Sequence, residues 1–278
     1  MDSIPFGVSR FDRIVGGGAP PGSVVLLVGE PGAGAREFMF TSATMNAVHD
    51  VDVDLFDLYY GDLHGESTPP PEVHYLSFTA DESNLRREMS YVFEESLVDA
   101  ATEGIRFHDF SAEYFRPSPI PREWYAGEAT TLQDLGERHN RVSVLTALGN
   151  YLNDHAAGNL VVIDSLTDLV AAVSDEMSFH DISMVMRGVS KAARRWGGLI
   201  LALVGRDTLE RTDLGHLMDA VDGTLQFQWD TGGSKRARTL VVQEFRGVLS
   251  RLESEDIVRF ETQIHDGGFD VSDVRKIR

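Results

Sequence analysis

The sequence predicts an α/β fold: one mainly parallel central sheet flanked by helices, with an antiparallel extension at its C-terminal edge. Three observations carry this. Strand-like apolar runs alternate with helical segments as far as Val204, the pattern of a parallel sheet covered on both faces. The runs at 24–28, 160–164 and 199–204 are apolar throughout, as strands buried on both faces require. From Gly223 onward strand follows strand with only turns between, and such short connections suit antiparallel pairs.

Taken in order, residues 4–21 (IPFGVSRFDRIVGGGAPP) form a lead-in whose glycine triplet and double proline force a turn before the first strand. The strand at 24–28 runs into Gly29, Glu30, Pro31, Gly32, Ala33 and Gly34, and a helix is expected over 36–48. The start of that helix aims free N–H groups at any bound anion. Residues 50–71, with five aspartates and three consecutive prolines, read as an acidic surface insertion. A strand at 73–79, a helix at 83–100 with Asp81 and Glu82 at its start, and a strand at 105–110 follow.

Pro117, Pro119 and Pro121 fit neither period, so residues 111–129 are expected to be a long loop. A helix at 132–156 leads to the strand at 160–164, and a helix at 179–196, closed by Gly197 and Gly198, leads to the strand at 199–204. The C-terminal strands are expected at 224–229, 238–245, 257–263 and 269–271. No fixed-period repeat is present, and residues 1–278 read as a single domain.

Composition narrows the function. Against 44 acidic residues stand 25 basic ones, a formal charge of −19 that repels phosphate backbones and disfavours nucleic-acid binding. Only Lys191, Lys235 and Lys276 are lysine, and acid excess with few lysines resembles proteins of salt-loving archaea. The absence of cysteine removes disulfides, thiolate metal sites and thiol nucleophiles. The histidines are scattered singly. No run approaches the roughly 18 apolar residues of a membrane span, and the N-terminus is unlike a signal peptide, so a soluble, cytoplasmic protein is expected.

The turn at 29–34 matches the glycine positions of the phosphate-binding pattern G-x-x-x-x-G-K-S/T, in its usual setting between strand and helix. The next two positions are Ala35 and Arg36. A methyl group stands where a lysine would reach phosphate, and a guanidinium stands where a hydroxyl would hold Mg²⁺. The turn either seats an anion on its N–H groups or keeps its shape without binding. Asp164 ends a buried strand, where it either ligates Mg²⁺ indirectly or bonds to nearby backbone.

These segments resemble the RecA-like ATPases, and within them the single-domain archaeal relatives of the circadian clock protein KaiC. The likeness spans about residues 4–272 and rests on FDRIVGGGAPPGSVVLLVGEPGAG, LVVIDS, DAVDGTLQFQ and LVVQEFRG, in the family's order. It implies a RecA-like P-loop fold, ATP as the ligand of Gly29 to Arg36, and Asp164 as the Walker B acid, with Mg²⁺ in doubt because the hydroxyl is missing. The family's catalytic glutamates fall on Thr79 and Ala80, so Asp81 and Glu82, one or two positions later, are the candidate bases. Its late K-x-R-G motif, which reaches a neighbouring subunit's phosphates, falls on Glu244, Phe245, Arg246 and Gly247, and implies a homo-oligomer or a protein partner.

The leading expectation is a degenerate nucleotide-binding domain with a regulatory or scaffolding role, able to bind ATP but with hydrolysis absent or very slow. The alternative is a working ATPase using Asp81 or Glu82 as base and Arg36 as phosphate clamp. A recombinase-like DNA-binding protein is disfavoured by the charge and by the acids of VAAVSDEMSF and DTLERTDLGH. One geometric expectation follows: Arg36 and Asp164 project into the same cleft and pair, giving the site a built-in cation.

Overall fold

The computed structural model describes residues 3–125, 143–174, 176–230, 237–249, 252 and 257–276. Its centre is a nine-stranded sheet in the order β3-β2-β4-β5-β1-β6-β7-β8-β9. The strands are β1 (Ser23–Gly29), β2 (Val73–Ser77), β3 (Ile105–Asp109), β4 (Leu160–Asp164), β5 (Leu199–Gly205), β6 (Gly223–Asp230), β7 (Ala237–Phe245), β8 (Ile257–His265) and β9 (Gly268–Lys276). β1 lies parallel to both β5 and β6, and β2 parallel to both β3 and β4. From β6 to β9 every pairing is antiparallel, as the short connections require.

Each residue of β1 is buried, and alternation along the strand divides the core in two. Val25 and Leu27 face a layer containing α1 (Ser9–Val15), α2 (Ala35–Val51), α3 (Val53–Tyr59) and α5 (Glu95–Gly104). Val24, Leu26 and Val28 face the other layer, containing α7 (Val144–His155), α8 (Leu166–Val173), α9 (Phe179–Trp196) and α10 (Arg211–Met218). On the first face Phe38 of α2 meets Phe227 of β6 and Phe269 of β9, with both ring centroids 5.3 Å away. These edge and tilted contacts fix the start of α2 against the C-terminal strands.

Several elements depart from the sequence expectation. The lead-in contains α1, whose Asp12 is fully buried and accepts from the N–H groups of Phe6 at 2.7 Å and Val8 at 3.2 Å and from the Tyr60 hydroxyl at 3.0 Å. Burial pushes that carboxyl up to about 8, against the pull of the three donors. The acidic stretch is not an irregular insertion throughout: α2 continues to Val51, and α3 follows. Asp52 caps α3 by accepting from Leu55 N at 3.0 Å, and Phe56 stacks on Tyr60 with centroids 4.8 Å apart. The helix expected at 83–100 is two helices, α4 (Glu82–Met89) and α5, parted by a turn in which Tyr91 faces solvent and Phe93 the core.

Within the proline-rich stretch, α6 (Ser111–Phe115) and a 3-10 turn (Arg122–Trp124) interrupt the expected loop. The remainder of that stretch, 126–129, and the first part of the helix expected at 132–156 lie outside the described residues. Two further helices, α8 after β4 and α10 after β5, lie on stretches to which the sequence reading assigned no element.

Candidate functional site

The glycine-rich turn owes its shape to two close approaches. A Cβ on Gly29 would lie 2.6 Å from the Cβ of Ala35, so the strand can end this near the helix start only without a side chain. Gly34 has φ +108°, and a Cβ there would lie 2.9 Å from the Phe269 ring. Among the described residues the N–H groups of Gly32, Gly34, Ala35 and Arg36 meet no protein acceptor. A helix start of this kind is an anion seat.

The outside of the turn is gripped by β6, β7 and the residues after β5. Glu30 accepts from Arg206 Nη1 at 2.6 Å and from Trp229 N at 3.0 Å. Trp229 Nε1 donates to Pro31 O at 3.1 Å, and Arg238 Nε donates to Gly32 O at 3.0 Å. The Arg238 guanidinium also lies 4.9 Å from the Trp229 ring centroid, within cation–π range. With its carbonyls held outward, the turn presents N–H groups on its other side.

Arg36, in the first turn of α2, donates to Asp164 Oδ2 at 3.0 Å and to Glu88 Oε2 of α4 at 3.3 Å. The Tyr75 hydroxyl donates to the same Asp164 oxygen at 2.6 Å. Asp164 is buried at the end of β4, and that burial raises its pKa, while the Arg36 charge and the Tyr75 hydrogen bond pull the other way. Tyr75, fully buried beside a carboxylate, is held well above the usual phenol range.

This arrangement does not fit Mg²⁺. Arg36 brings no oxygen to the position where the phosphate-binding pattern has a hydroxyl, and its guanidinium already bonds to the Asp164 carboxylate. The turn itself fits an oxyanion, since its donors are backbone N–H groups. No cluster of three or more potential metal-ligating side chains occurs among the described residues.

The remaining sequence candidates are dispersed. Thr79 and Ala80 follow β2, and their N–H groups donate to Ser77 Oγ. Asp81 caps α4, accepting from Ser83 Oγ at 2.7 Å and Asn84 N at 2.8 Å, and these bonds hold its pKa down. A carboxylate so engaged is a weak proton acceptor. Glu82 is exposed in the first turn of α4, with no side-chain partner among the described residues. Arg246 lies at the other end of the sheet, 3.5 Å from Asp222, which Arg194 also meets at 3.1 Å. Because Asp222 N bonds to Val24 O, Arg246 is about five strand residues from Gly29, roughly 16 Å, and takes no part in its own chain's turn.

Tyr75, Glu88, Arg206, Trp229 and Arg238 were not singled out as site residues from sequence. For Tyr75 the signal existed: Tyr75 and Val162 are register partners on the α2 face, and period-two alternation puts Asp164 on that face too.

The nine-stranded sheet, the glycine-rich turn between β1 and α2, and the acid ending β4 define a RecA-like P-loop α/β fold. Among solved structures, the chain is similar to a KaiC-like protein of the hyperthermophilic archaeon Pyrococcus horikoshii OT3, with a TM-score of 0.62 and 16% identity, over 98% of this chain and 99% of that one. No protein-family model and no curated protein sequence matches it. The likeness is one of fold.

Proposed function

We propose that this chain is a nucleotide-binding RecA-like domain that has given up metal-dependent hydrolysis and acts as a regulatory or scaffolding protein. The observation that carries the reading is the 3.0 Å Arg36–Asp164 pair, a protein cation bonded to the Walker B acid. The N–H groups of the turn remain as an oxyanion seat. Loss of a lysine contact at Ala35 forfeits about 1.5–3 kcal/mol, a tenfold to hundredfold weaker hold on phosphate. Hydrolysis lacks the ion, and Thr79 and Ala80 cannot serve as proton acceptors near neutral pH.

The test is repair of the turn. Ala35→Lys with Arg36→Thr restores the clamp and the Mg²⁺ hydroxyl, and calorimetry should show ATP affinity rising at least tenfold, about 1.4 kcal/mol. Phosphate release should stay at background. Brisk hydrolysis by the repaired protein would mean that Asp81 or Glu82 already acts as base and would replace this reading with a working ATPase.

A further inference from the structure

Two helices on opposite faces of the sheet carry complementary surfaces that the nucleotide reading does not use. Between Arg187 and Arg195, α9 holds four basic residues, Arg187, Lys191, Arg194 and Arg195, in a chain of net charge −19. At roughly 100° per residue these four, with His180 and Met184, fall within an arc of about 100°. All six are exposed, Met184 at 58%. Arg194 meets Asp222 and Arg187 the Asp219 carbonyl, whereas Lys191 and Arg195 have no partner among the described residues.

The second surface is α3. The stretch from Asp50 to Asp62 contains five aspartates and no basic residue. Phe56 and Tyr60 turn inward, which leaves Val53, Asp54, Asp57 and Leu58 on an outward arc of about 140°. Val53 is 60% exposed and Leu58 72%, while Asp54 and Asp57 have no partner among the described residues. Large aliphatic side chains left this open beside unpaired carboxylates match a surface carrying unpaired cations beside an open methionine.

We infer that α3 of one copy docks on the basic face of α9 of a second copy. The core residues of α3 belong to one face of the sheet and those of α9 to the other, so the contact is head-to-tail: each copy offers one acidic and one basic surface. Such a heterologous contact propagates into a ring or an open filament. A seven-residue helix against one stripe is a small interface, so the association is weak, with Kd from about 10 μM to 1 mM. The inference does not depend on nucleotide.

Sedimentation velocity of the full chain over that concentration range, at about 0.15 M and 1 M salt, gives the reading. Wild-type protein should associate reversibly, and less at high salt. Lys191→Glu with Arg195→Glu, or Asp54→Lys with Asp57→Lys, should each weaken association at least tenfold. A mixture of the two variants should recover it, because each then supplies the surface the other needs; recovery also excludes misfolding as the cause of the loss. A wild-type chain that stays monomeric throughout, variants that associate like wild type, or a mixture that does not recover would each overturn the inference.

Discussion

Replacing Arg36 with Ala tests whether the internal ion pair holds the site together. Removing one partner of a buried pair costs about 3–5 kcal/mol when the other charge is stranded. Here the Arg36 side chain is 45% exposed, so water already weakens the attraction, and Tyr75 keeps one hydrogen bond to the carboxylate. A ceiling follows from letting Asp164 take up a proton: from an ordinary pKa of 3.8, neutralisation at pH 7.5 costs about 5 kcal/mol. We expect about 2 kcal/mol at pH 7.5, read as a shift in the urea midpoint at unchanged slope.

The pH dependence has a definite sign. A folded-state pKa above 3.8 means that the contribution of Asp164 is fully present below pH 3.8 and is lost as pH rises through the folded value. Without Arg36 the folded value moves higher still, so the deficit of the variant should be larger at pH 7.5 than at pH 5. Asp164→Asn keeps an acceptor for Tyr75 and removes the charge, so alone it should cost less, and in a double-mutant cycle the two sites should couple by about 1–2 kcal/mol. Coupling under about 0.5 kcal/mol, or a deficit indifferent to pH, would refute the pair as an energetic unit.

Gly34→Ala should cost more than about 1 kcal/mol in urea unfolding, because φ +108° is strained for alanine and the new Cβ meets the Phe269 ring. Asp81→Ala should remove the α4 cap at about 1 kcal/mol. Since the Asp81 pKa is depressed, that contribution holds above pH 3.8 and fades as pH falls through the lower folded value, so the difference from wild type should shrink in acid. Trp229→Phe deletes the bond to Pro31 O, and amide exchange at Ala33, whose N–H bonds to Glu30 O within the turn, should quicken about fivefold, the equivalent of about 1 kcal/mol; unchanged exchange would show that the grip on the turn lies elsewhere.

Periodicity located the framework where it was strong and continuous. β4 and α9 occupy the expected residues, since one is apolar from end to end and the other carries a long amphipathic repeat closed by glycine. α3 was hidden because Phe56 is its one buried side chain, with Leu55 and Tyr59 half-buried and Tyr60 at its C-cap, too few positions to outweigh five aspartates. The break between α4 and α5 was hidden because the residues at the turn offer neither glycine nor proline; it is the inward Phe93 that redirects the chain.

At the site, Ala35 and Arg36 at the pattern's lysine and hydroxyl positions were legible from the sequence, and the Arg36–Asp164 contact from the helix and strand they sit on. The grip of Arg206, Trp229 and Arg238 on the turn was not. It joins residues about two hundred positions apart through strand order, which no local spacing encodes.

A dissolved ion occupies a site only as far as its concentration allows, whereas the guanidinium on α2 is covalently part of the chain and cannot dilute away. On the function proposed above, the charge of this cleft is independent of divalent supply, and a chelator should leave the melting temperature where it was. Because Arg36 touches both Glu88 on α4 and Asp164 on β4, an anion seated on the turn that draws the guanidinium toward itself releases carboxylates on two elements in one movement. Metal-free phosphate should then loosen α4, visible as faster amide exchange along that helix.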